Sequence, residues 1–244
     1  MKVSVCMATY NGQDYISEQI NSILPQLNRD DEIIIVDDYS TDNTIDILRS
    51  LQDPRIKLFY NSKNRGYIYT FSKALSLSKN DLIFLSDQDD IWIQGRVKLM
   101  TQKLYEAGTL VITSNFNLLF SNGQIESDPF GKLKSVDSTK YVRNIIGIFR
   151  GNMNYFGCTM AFKRELLTVI LPIPYFVKSH DLWIAMAGNL LSSNLHMDEI
   201  TLLRRIHTSN ATNPNRSIEN KLMTRFEFVV SIVCLVMRKR KMKN

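Results

Sequence analysis

Cysteine is scarce in these 244 residues: Cys6, Cys158 and Cys234 lie far apart, in apolar or small-residue surroundings. Three cannot all pair and their spacing suits no metal, so a reducing cytoplasm is the expected setting. Glycine is sparse as well, and neither Gly12 nor Gly66 belongs to a glycine- and lysine-rich phosphate loop or a G-x-G-x-x-G pattern. That argues against a classical dinucleotide-binding enzyme and against a nucleotidyltransferase built on such a loop. Long apolar runs are missing too. The longest, Phe226 to Met237, carries Glu227 and falls short of the ~18–20 residues that a bilayer-spanning helix needs. The opening MKVSVCMATYNG has too brief an apolar run for a signal peptide. Excess charge is thin: of the formal +6, Arg238, Lys239, Arg240, Lys241 and Lys243 supply five. The body is nearly neutral, so no nucleic-acid-binding face is implied.

What is present is an alternation. Val3 to Ala8 is a buried-strand run ending in Thr9-Tyr10-Asn11-Gly12, and Ile16, Ile20, Ile23 and Leu24 follow at helical spacing before Pro25. Glu32 to Val36 is a second strand, stopping at Asp37-Asp38, with N-capping residues from Ser40 to Thr44 ahead of an apolar-periodic helix. Ile56 to Tyr60 is a third, ending at Asn61 to Gly66. A helix around Tyr69 to Ser78 leads into Leu82 to Leu85 and then Ser86-Asp87-Gln88-Asp89-Asp90. Apolar strands alternating with helices predict an α/β fold, with a mostly parallel sheet covered on both faces. In such sheets the ligand crevice lies outside the carboxyl ends of the strands, so the polar loops converge on one rim.

The second half is less regular, with a strand expected at Leu110 to Thr113, a helix from Asp181 to Leu191 and a loop from Asn210 to Ser217. The division expected is 1–115 for a nucleotide-binding half, 116–215 for an acceptor-binding half and 216–244 for an amphipathic, basic tail.

Ser86 to Asp90 is the sharpest chemical feature. Three carboxylates in four positions repel one another, and a hard cation, Mg²⁺ or Mn²⁺, keeps them ionised while bridging to phosphates. The plainer alternative is a solvated acidic turn before a helix starting near Ile91.

MATYNG, VDDYSTDNT, NRG and SDQDD, each at a strand end and in this order, resemble the inverting family 2 glycosyltransferases of GT-A fold. The stretch Asp87-Gln88-Asp89-Asp90-Ile91-Trp92 is similar to their bacterial rhamnosyltransferase-like branch, which builds surface polysaccharides. The resemblance implies a metal-dependent hexosyltransferase using Mn²⁺ or Mg²⁺. The implied donor is dTDP-L-rhamnose, with a UDP-hexose next, and the acceptor a saccharide or lipid-linked saccharide. It implies that Thr9, Tyr10, Asn11, Asp38, Asn64, Arg65, Gly66, Asp87, Gln88 and Arg205 bind the nucleotide sugar, and that Asp89 binds the metal. His207, in Arg204 to Asn210, is implied on the metal or a donor phosphate.

Asp181, in Ser179-His180-Asp181-Leu182-Trp183, matches the family's general base. His180 is the rival on pKa grounds. Cys158 and Thr159, in Gly157 to Phe162, match an acceptor-site stretch. Trp92 and Trp183 are offered for sugar stacking, the alternative being core. A base would be useless to a non-catalytic nucleotide-sugar-binding module, the reading from another functional class. Phe226 to Met237 with its basic run suits attachment to anionic lipid, on the inner face of the plasma membrane, against a helix docked on the domain.

Overall fold

The protein is represented by a computed structural model that describes residues 1–129, 131–207 and 218–242, the last with side chains at 225–239. The first half runs β1 (Val3–Thr9), α1 (Ile16–Ile23), β2 (Glu32–Asp37), α2 (Thr44–Ser50), β3 (Ile56–Tyr60), α3 (Tyr67–Leu77) and β4 (Leu82–Ser86). The second half runs β5 (Ile91–Trp92), α4 (Arg96–Ala107), β6 (Val111–Phe120), β7 (Ile125–Ser127), α5 (Tyr141–Arg150) and β8 (Met160–Lys163). It ends with α6 (Leu167–Ile170), α7 (His180–Leu190), β9 (Asn194–Ile206) and α8 (Ile218–Met242). The expected loop at 210–217 lies outside the described residues.

One sheet spans both halves in the order β3-β2-β1-β4-β8-β6-β9-β5, with β7 pairing β6. β3, β2, β1 and β4 are parallel, β8 is antiparallel between β4 and β6, and β6 pairs β9 in parallel. The predicted α/β architecture with helices on both faces is what forms. Period-two alternation explains the two cores. Cys6, Ile34, Val36, Ile83 and Leu85 face α3 and α7, whereas Val5, Met7, Ile33, Ile35 and Phe84 face α1 and α4.

The chain runs outward from β1 through β2 to β3, then crosses back to β4 on the other side of β1. The switch point, where parallel α/β sheets open a crevice, therefore lies between Thr9-Tyr10 and Ser86-Asp87. No helix among the described residues is long and apolar enough to cross a membrane. The basic tail segment belongs to α8, whose Ser231 and Leu235 are buried against the domain. Among its described side chains, Arg238 donates to the carbonyls of Val169 and Pro172, and Lys239 to that of Leu190.

Candidate active site

The rim assembles from loops that the strands aim at one another. Gln88 clips the first two across the switch point: its Oε1 accepts from Tyr10 N at 2.9 Å and its Nε2 donates to Tyr10 O at 3.1 Å. A Cβ at Gly12 would come within 2.5 Å of the Gln88 amide, so glycine is required for this clip. Asn11 takes a positive φ of 48°, and its Oδ1 accepts from Thr41 N at 2.9 Å. Thr9 is buried and donates to Asp37 Oδ2 at 3.0 Å. Tyr10 stands 47% exposed at the mouth.

Asp38 organises the third loop. Its Oδ1 accepts from Asn61 Nδ2 and Arg65 N, both at 2.8 Å, and its Oδ2 from Gly66 N at 2.7 Å. Gly66 has φ of 82° at the start of α3, a left-handed position that L side chains resist. The Arg65 guanidinium lies over the Tyr69 ring at 4.2 Å, beside the exposed Asn64.

The acidic motif divides its labour. Asp89 Oδ2 sits 2.7 Å from His207 Nε2, and the His207 ring stacks on Tyr15 at 4.7 Å. Asp90 is buried; its Oδ1 accepts from Arg205 N at 3.1 Å while its Oδ2 has no partner. Burial, then the Asp89 charge, pushes the Asp90 carboxyl up to about 7. Burial raises Asp87 well above the usual carboxylate range, and the charges of Asp90, Asp89 and Asp181 add to it, against Arg204. The ligand atoms of Asp87, Asp90 and Cys158 lie within 4.8 Å of one another. That group is two carboxylates and a thiol, while Asp89 and His207 pair with each other; the carboxylate oxygens suit a hard divalent cation, and the orphaned Asp90 oxygen marks the cluster as incomplete by itself. Arg205 reaches Glu18 and the Asp89 carbonyl, so its head group braces the loop.

Asp181 enters from the other half. Ser179 caps α7, accepting from Leu182 N at 3.2 Å and donating to Asp181 Oδ1. The helix period turns His180 inward and Asp181 outward. His180 is buried, stacked on Phe71 at 4.2 Å, with neither ring nitrogen partnered. Burial lowers its pKa, and that enclosure denies it contact with an acceptor.

The four acceptor-side candidates sit deeper than stacking or contact would require. Trp92 and Trp183 are 3% and 0% exposed. Trp92 packs on Phe84 and under the Arg96 guanidinium, and Trp183 donates to Ile170 O at 3.0 Å. Cys158 and Thr159 are likewise buried, the latter donating to Phe156 O at 2.7 Å. Burial holds the Cys158 thiol well up.

Three contributors had no sequence signal strong enough to name them. Arg96 is buried beneath the motif, donating to Ser114, Thr201 and the Cys158 carbonyl. Arg204 lies over the Phe156 ring at 4.5 Å, where its charge opposes the upward shifts of Asp87 and Asp90, and Ser179 caps α7. The Arg204-Arg205 doublet was a usable signal for the former.

Comparison with known proteins agrees with this geometry. The family model "Glycosyl transferase family 2" matches residues 4–171. The dTDP-rhamnosyl transferase RfbG of Shigella flexneri is 30% identical over 88% of this chain and 76% of its own length. The UDP-Glc:alpha-D-GlcNAc-diphosphoundecaprenol beta-1,3-glucosyltransferase WfgD of Escherichia coli is 30% identical over 75% of this chain and 69% of its own. Other curated relatives are spanned for only about half their length, 54% and 49%. In fold, the chain matches the structure of S. aureus TarS 1–349 in complex with UDP-GlcNAc with a TM-score of 0.72, covering 96% of this chain and 67% of that one at 19% identity. A GT-A sheet with its motifs on the expected rim, and a family match across more than half the residues, make the chain a member of glycosyl transferase family 2.

Proposed function

We propose that the protein is an inverting glycosyltransferase that moves a sugar from a nucleotide donor to a saccharide or lipid-linked saccharide in polysaccharide synthesis. The observation that carries this reading is the gathering of the strand-end loops on one rim, Gln88 clipped to Tyr10 and Asp38 to Arg65 and Gly66, with the segment that opens the Asp181 helix tied to the start of α3 by the Tyr67 hydroxyl donating to Lys178 O at 2.6 Å. The donor favoured is dTDP-L-rhamnose, supported by the likeness to RfbG over most of the chain, with a UDP-hexose next, supported by WfgD.

In this mechanism the nucleoside lies along the Tyr10, Asp38 and Arg65-Gly66 loops. Asp181 takes the proton of the acceptor hydroxyl as that oxygen attacks the anomeric carbon from the face opposite the leaving group. The Ser179 hydroxyl holds one carboxylate oxygen, leaving the other to face the acceptor. Asp89 and His207 would hold a divalent cation, Mn²⁺ or Mg²⁺, which when bound supplies charge neutralisation for the nucleoside diphosphate. Inversion follows from a single displacement at that carbon.

The test pairs binding with turnover. Thermal shift against nucleotide sugars, with Mn²⁺, Mg²⁺ or chelator, should single out one donor. Asp181→Asn should then cut transfer by about 10²–10⁴-fold with donor affinity unchanged. Near-normal transfer by that variant would remove Asp181 as the base, and no donor response with either metal would leave a catalytically degenerate binding protein.

A further inference from the structure

Two helices of the second half leave apolar side chains in water. On α5, Val142, Ile146 and Phe149 are 72%, 44% and 37% exposed, at the i, i+4, i+7 spacing of a single helix face. On α8, Phe226, Val229, Val233 and Met237 are 66%, 53%, 48% and 60% exposed, again on one face, opposite the buried Ser231 and Leu235. The two helices meet at one seam below the stripes, where the Phe149 ring lies 5.3 Å from the half-buried Phe228 and 4.8 Å from the Arg225 guanidinium. Single exposed apolar residues need no explanation, but a contiguous patch marks an interaction surface.

Charge says what the partner is. The sequence of α5 holds Arg143 and Arg150 and no carboxylate. That of α8 holds Lys221, Arg225, Arg238, Lys239, Arg240 and Lys241 against Glu219 and Glu227. These two helices carry a net of six positive charges, which is the whole excess of the chain, and every other residue together balances to zero. Arg143 and Arg150 stand exposed on α5 and Arg225 lies beside the Phe149 ring, so a second copy of the chain would bring like charges to the same face, which disfavours self-association there. A polyanionic apolar layer satisfies both features.

The surface is also aligned with the site. Lys178, just ahead of α7, pairs with Glu227 at 3.8 Å, and Lys239 donates to Leu190 O at the far end of α7. α8 therefore runs parallel to the helix that carries Asp181, with Phe226 at the rim end. We propose that the α5–α8 face is a membrane-interfacial surface that seats the protein on an anionic lipid bilayer and brings the base-bearing rim to the headgroup layer. The apolar side chains enter the acyl boundary and the exposed Arg143 and Arg150 contact lipid phosphates. The face is the same whichever nucleotide sugar is used, so this inference and the donor assignment stand or fall separately.

The test is co-sedimentation of the full chain with vesicles of phosphatidylglycerol and phosphatidylcholine, and with phosphatidylcholine alone. Binding should need the anionic lipid and weaken as salt rises from roughly 0.05 to 0.5 M. Ile146→Glu with Val229→Glu should lower vesicle affinity by about tenfold per anchor at an unchanged thermal melt. Tyr105→Glu, at a 69% exposed site on α4, should change nothing. If the double variant melts early, Val142→Glu replaces it. Wild type that ignores anionic vesicles, or variants that bind them equally well, overturns the proposal. So does light scattering that finds a wild-type dimer made monomeric by the same substitutions with no effect on lipid binding.

Discussion

Asp38→Asn keeps the shape of a buried side chain and removes its charge, so its effect can be worked out bond by bond. The carboxylate accepts from Asn61 and Arg65 on one oxygen and from Gly66 on the other. An amide offers its oxygen to only one side. Turned toward Asn61 and Arg65, it sets its own NH₂ against Gly66 N–H, donor against donor. Two charge-assisted bonds fall to neutral ones, at about 1 kcal/mol each, and the third is lost outright for about 1.5–3 kcal/mol. The local cost is therefore about 3–5 kcal/mol. Residues 62–65 are exposed, so the loop opens to water before the sheet yields. Global stability should then fall by only about 1–2 kcal/mol, a drop of roughly 2–8 °C in Tm for a domain of this size. Nucleotide affinity should drop by about 10–100-fold, because the donor must now re-form the loop as it binds. Titration calorimetry with UDP and dTDP, beside a thermal melt, reads both quantities. Affinity within a factor of two of wild type would remove the 61–66 loop from the donor site. A melt lowered by far more than the loop can account for would mean that Asp38 supports the sheet itself.

Two further outcomes follow from the buried charges. Arg96→Met should cost about 2–4 kcal/mol in urea unfolding, since it strands the Cys158 carbonyl, leaves the Ser114 and Thr201 hydroxyls only each other and Thr159 O, and removes the cation facing Asp90; a loss under 1 kcal/mol would refute that role. In chelator, stability should decline as pH rises from about 4 toward 7. Across that window the folded protein keeps the Asp90 proton, its pKa raised to about 7, while the unfolded chain has released it. Asp90→Asn should flatten that slope, which amounts to roughly 2–4 kcal/mol, and an unchanged slope would assign it to another group.

The first half was legible because β1, β2 and β4 are buried on both faces. A strand such as Glu32 to Asp37, buried at every position, can only be written as a continuous apolar run, and the polar stop at Asp37-Asp38 then marks the rim. The donor-side loops and the acidic motif were readable for the same reason, whereas Asp181 was preferred to His180 only by its match to the family's position; helix periodicity, which sends adjacent residues to different faces, is why the fold buries His180 and not Asp181. The second half hides its elements. β9 reads Asn-Leu-His-Met-Asp-Glu-Ile-Thr-Leu-Leu-Arg-Arg-Ile, with charges in the middle, and its pairing with β6 shifts register between Thr113 and Phe116. On α5 the buried positions include Asn144, which bonds Asn189, while Val142 faces water, so the apolar period points away from the core. Where a tryptophan ends up is a tertiary outcome: Trp92 is buried because Phe84 lies beside it and Arg96 over it, neither of which local sequence discloses. A cation in the core is harder still to foresee, because Arg96 has the composition of a solvated helix start. Its surroundings are set by Ser114, Thr201 and Cys158, drawn from β6, β9 and the turn before β8, which only the closed sheet brings together. Pattern therefore exposes what a residue does for its own element, and the acidic rim is readable to that depth. What lies behind the rim, such as the bonds of Arg96 to Cys158 and Thr201, depends on pairings across 62 and 105 residues, where no local rule reaches.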